Sequence, residues 1–134
     1  MTLLEPDVAL TDFGLTIECL GLAAWLHWHT PMNPLRTWLV IFFAAQGIAA
    51  LLGGMTHGFL DDPRSTIYGL TWSATLLAVG IAAVATWTIG ARLLFSERTA
   101  KRVLVVAGLL FIVYAATILS MRTIRAICAG SSSQ

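Results

Sequence analysis

The chain has 134 residues, enough for one compact domain and too few for two. Hydrophobic residues make up 57% and charged residues 11%, the net charge is +1, and mean hydropathy is +0.81. A typical soluble domain is about 25% charged, so this composition excludes a soluble enzyme and a disordered chain. A net charge of +1 offers no field for nucleic acid. Two cysteines, Cys19 and Cys128, support neither a disulfide framework nor a thiolate metal site.

A membrane-crossing helix takes roughly 20 mostly apolar residues, and four segments qualify. They run from about Val8 to Trp28, Thr37 to Phe59, Ile67 to Ala91 and Val103 to Met121. Only short polar connectors separate them, and backbone polar groups in lipid must be satisfied within each helix. The expected fold is therefore all-α, an integral membrane bundle of four transmembrane helices occupying residues 1–128. A small polar tail, residues 129–134, follows. No signal peptide is expected, because Glu5 and Asp7 stand where such a peptide carries Lys or Arg.

The first loop holds Pro31 and Pro34, where a missing N–H does no harm. Asp61-Asp62-Pro63 closes the second span. Trp25, Trp28, Trp38 and Trp72 read as interfacial anchors. Lys and Arg in the short loops set the orientation. Arg36, Arg92, Arg98, Lys101 and Arg102 lie on one side, against Arg64, Arg122 and Arg125 on the other. The excess places the third loop in the cytoplasm and both termini outside.

Charged residues at membrane depth are site hypotheses by default. In the first span Glu18 lies near mid-membrane, and it is expected to face the bundle interior, protonated or paired. Asp12 lies nearer the outer end and either belongs to a site or, with Thr11, caps a helix that starts late. In the second span Gly54 and Gly58 have the spacing that lets another helix approach closely. His57 stands beside them, with Asp61 four residues on, on the same side of a continuing helix. Asp12, His57 and Asp61, with Ser73 of the third span, would then converge at the outer rim. That group reads as a zinc half-site, as a proton-handling pair, or as a hydrogen bond between helices. His27 and His29 sit at the opposite end, about 200° apart on their helix, and are not expected to chelate one ion.

Two motifs carry a resemblance. Leu10-Thr11-Asp12-Phe13-Gly14-Leu15 opens the first span, and Leu51-Leu52-Gly53-Gly54-Met55-Thr56-His57-Gly58-Phe59 closes the second. Together they resemble a family of uncharacterised bacterial multi-pass membrane proteins. That family is distantly similar to the seven-helix superfamily of alkaline ceramidases and adiponectin-type receptors. The resemblance implies residence in a bacterial inner membrane. It also implies zinc, lipid amide hydrolysis, and His57 as the first metal ligand. The superfamily has a serine four residues before that histidine, where this chain has Gly53. Its further histidines follow a later helix, so on this pattern the chain is an N-terminal portion.

Three functions remain open. The chain is a membrane scaffold or subunit, working with lipid and with copies of itself or other membrane subunits. Alternatively it is part of a metal-dependent lipid amide hydrolase. The third reading is a small proton-coupled transporter that uses Glu18.

Overall fold

A computed structural model describes residues 4–131, with side chains as far as residue 123. The chain is four helices in order: α1 (Pro6–His29), α2 (Pro34–Phe59), α3 (Thr66–Leu94) and α4 (Glu97–Ser131). No strand occurs among the described residues. Each helix is long and apolar enough to cross a membrane.

The boundaries follow local chemistry. Pro6 and Pro34 both start helices, at the first helical position, where the absent N–H is an orphan anyway and the fixed φ suits the helix. Asn33 caps α2 by accepting the Arg36 N–H at 2.8 Å, and Ser65 caps α3 by accepting from the Tyr68 N–H at 3.1 Å. α1 begins ahead of Thr11 and Asp12, so this pair does not cap it. Leu60, in extended backbone, ends α2 with its N–H on the Thr56 carbonyl.

The helices form an open row. Among the described residues, backbones approach within packing distance only between chain neighbours: α1 with α2, α2 with α3, α3 with α4. The buried side chains are small. Ala45, Ala49, Ala50, Ala78, Ala82 and Ala85 belong to the buried set, while most large aliphatic residues face outward. Lipid gives helices no hydrophobic reason to associate, so small side chains that allow close van der Waals contact take that place. The buried hydroxyls ask nothing of a neighbouring helix. Thr16, Thr56, Thr75 and Thr88 each donate to the carbonyl four residues back on their own helix.

The α1–α2 contact is the most extensive. A Cβ at Gly54 would lie 3.1 Å from Asp12 Cβ and from a ring carbon of Phe13. A Cβ at Gly47 would meet the Leu20 side chain at 2.8 Å. The glycines of α2 therefore admit α1 into a notch. α4 stands at the other extreme: it holds the most apolar stretch of the four, and only 6% of that stretch is buried.

Candidate functional site

The antiparallel row brings the start of α1, the end of α2 and the start of α3 to one end. The chain ahead of α1 lies along the end of α2. Leu4 N–H donates to the Gly58 carbonyl and Glu5 N–H to the His57 carbonyl, each at 3.2 Å. These carbonyls are orphans of the helix end, so the strap satisfies groups that α2 cannot. The same strap carries the Glu5 carboxylate to His57 Nδ1, 2.7 Å away. Nδ1–H donates, since the carboxylate only accepts. The pair is partly open to its surroundings, with side chains 36% and 59% exposed. The His57 ring also meets the edge of Trp72, 6.4 Å between centroids, and Trp72 stacks on Tyr68.

His57 is thus engaged by Glu5, a residue the sequence offered no reason to choose. Asp12 lies one turn deeper, with its carboxyl over Gly53, where a Cβ would come within 3.1 Å of Oδ2. Asp61 is exposed and falls beyond the last residue of α2. The i to i+4 placement of His57 and Asp61 assumed a helix that continues past Phe59, and the extended Leu60 ends it first. Ser73 gives its hydroxyl to the Gly69 carbonyl of its own helix. Among the described residues, no three His, Cys, Asp or Glu side chains group to hold a metal ion. Catalytic zinc generally takes three protein ligands and a water, so a metal site built on His57 would draw ligands from elsewhere.

Glu18 is turned the other way from expectation. It is exposed on the outer face of α1, while its neighbour Cys19 is buried. An interior position presupposed a closed bundle, and α1 has a neighbour on one side only. Glu18 is the thirteenth of 24 residues in α1, at mid-helix. Gly14 and Gly21 flank it at i−4 and i+3 on the same face. Among the described residues, nothing lies within 4 Å of where a Cβ at either glycine would sit.

The opposite end holds a residue that charge counting had reduced to a topology marker. Arg36 is 7% exposed. Its Nε donates to the Leu26 carbonyl at 3.0 Å and its Nη2 to the His27 carbonyl. A guanidinium on the last carbonyls of α1 satisfies orphan acceptors and sits at the negative end of that helix. The signal in the sequence is an Arg early in α2, after a four-residue connector too short to part the two helix ends. His29 Nδ1–H donates to the Trp25 carbonyl at 3.1 Å, and its ring stacks on Trp25.

Four apolar helices of this length define an all-helical membrane protein. The chain belongs to a family of unknown function, DUF6962, whose model matches residues 8–133. No curated protein and no solved structure matches it. The membership agrees with the likeness to an uncharacterised family; the more distant likeness to ceramidases gains no match.

Proposed function

We propose that this protein is a structural subunit of a larger membrane assembly, completed where the outer face of α1 meets another transmembrane helix. The observation that carries this reading is Glu18. A charged side chain at the centre of a membrane helix costs roughly 2.5–3.5 kcal/mol on insertion scales. The cost falls when the group meets a polar partner away from lipid. Glu18 has lipid-facing exposure in the single chain, and Gly14 and Gly21 on either side leave room for a helix backbone to come close. Lipid surrounds the rest, and the partner helix comes from a second copy of this chain or from another subunit. The proposed setting is a cell membrane with the termini outside and the basic third loop in the cytoplasm.

The test is the particle mass of the full chain extracted in mild detergent. An assembly heavier than one chain is expected, and Gly21→Leu should reduce it to a single chain with unchanged helix content. One-chain particles for both proteins would overturn the reading.

The same residue supports a second reading, a proton-coupled carrier, because assembly would bury an acid at mid-depth between subunits. Proton flux in vesicles separates the two. Glu18→Gln should abolish flux if the protein is a carrier, and equal flux from both proteins removes that function.

A further inference from the structure

α3 and α4 meet over a smaller contact than α1 and α2, and a trough runs between them. Two adjoining grooves of about 330 Å³ each share Trp87, Ala107 and Leu110 along their border. Thr99 and Arg102 wall the end next to the third loop, and Phe111 and Tyr114 the deep end. From Arg102 to Tyr114 the trough follows 12 residues of α4, about 18 Å at ~1.5 Å per residue. That is a little over half of an about 30 Å hydrocarbon core, the depth of one leaflet.

Polarity is confined to the ends. The Tyr114 hydroxyl is already given to the Leu76 carbonyl at 3.1 Å. Between the ends the walls are hydrocarbon apart from the Trp87 ring, which is 67% exposed. At the loop end the charge is one-sided. Glu97 is the only acid in the chain after Asp62, and it pairs with Arg92 at 3.3 Å. Arg98, Lys101 and Arg102 are exposed, with no acid in ion-pair distance among the described residues.

Length and charge point to the occupant: an apolar trough about 18 Å long that ends at cations with no acid in ion-pair distance matches the tail and the phosphate of one anionic lipid. We infer that it holds one acyl chain of an anionic phospholipid, with the phosphate on Arg102 and the tail running to Tyr114. The cations at the loop end favour an anionic headgroup over a zwitterionic one by about fivefold for each basic residue near the phosphate. The inference stands apart from the assembly reading, since the trough lies on α3 and α4 and Glu18 on α1.

The test titrates the detergent-solubilised full chain with phosphatidylglycerol or phosphatidylcholine of identical tails and counts bound lipid by native mass spectrometry. Phosphatidylglycerol should bind at least about fivefold more tightly than phosphatidylcholine. Arg102→Gln, an exposed substitution, should cut the preference for phosphatidylglycerol about fivefold. Ala83→Trp places a large ring in the trough from an exposed wall position and should displace both lipids. Equal binding of the two lipids by the parent protein would overturn the inference, as would retention of phosphatidylglycerol by both variants. Disulfide formation between copies at Ala83→Cys in native membranes would also overturn it, since a second chain would then fill the trough.

Discussion

The α1–α2 pair and the α3–α4 pair are both antiparallel, yet they are held together differently. The first is clasped at both ends, by Arg36 on the Leu26 and His27 carbonyls and by the Leu4–Glu5 strap on the end of α2. Between the clasps the glycines of α2 accept α1 side chains at contact distance. Among the described residues the second pair has two polar ties across it, Tyr114 to the Leu76 carbonyl and Arg92 to the largely exposed Glu97 beside the connector, and one close glycine, Gly80. The difference shows in what each outer helix presents. α4 exposes aliphatic residues, which lipid covers at no cost, and α1 exposes Glu18, which lipid does not. A helix with few protein contacts is stable in a membrane when its surface is hydrocarbon. One with a carboxyl at mid-depth asks for another neighbour.

Gly54→Leu should do most to break the first pair. Its side chain would enter the space of Asp12 Cβ and Phe13, close to the α1 backbone. Overpacking costs about 1–3 kcal/mol and occasionally more, and the upper end is expected where backbone must move. Reversible unfolding in mixed micelles measures it, and a loss under about 1 kcal/mol would mean that the contact is loose. Arg36→Met follows. It keeps an unbranched apolar stem and leaves two carbonyls of α1 without their donor, at about 2 kcal/mol for hydrogen bonds to a charged group. The same unfolding measurement applies.

Gly80→Ala ranks third. A Cβ there would lie 2.7 Å from Phe111 and 2.9 Å from Tyr114, both ring atoms of a helix free on its other sides. α4 can yield, so about 1 kcal/mol is expected, with α4 more open to proteolysis than α1. Glu5→Gln should be smallest, below about 1 kcal/mol, because the pair is partly exposed and screened. The two backbone bonds of the strap survive that change. A larger loss would give the Glu5–His57 pair a role beyond tying down the strap.

The helices were legible because apolar runs of this length have few alternatives. The edges differ because a proline in a connector suggests a loop residue, whereas Pro34 occupies the first helical position, where proline fits the helix. His57 was legible as an engaged residue and its partner was not. Asp61 looked near on a continuing helix, while Glu5 reaches His57 only because Leu4 and Glu5 bond backbone to backbone with α2. The direction of Glu18 was beyond reach of the sequence for a related reason. Which face of a helix is covered depends on how many neighbours it has, and spacing alone implied a closed bundle. Trp87 carries no signal in the sequence because it sits away from the loops, where no aromatic belt is expected, and its meaning depends on α4 alongside.

The most direct test of a covered α1 face is chemical. In a chain with Cys19→Ala and Cys128→Ser, a single cysteine is placed at Leu22→Cys, exposed one turn after Glu18, or at Val113→Cys on the exposed surface of α4. Native membranes are then treated with a maleimide that partitions into the hydrocarbon. The account predicts that position 113 reacts and position 22 is protected until a denaturing detergent separates the assembly. Equal reaction at both positions in intact membranes would contradict it.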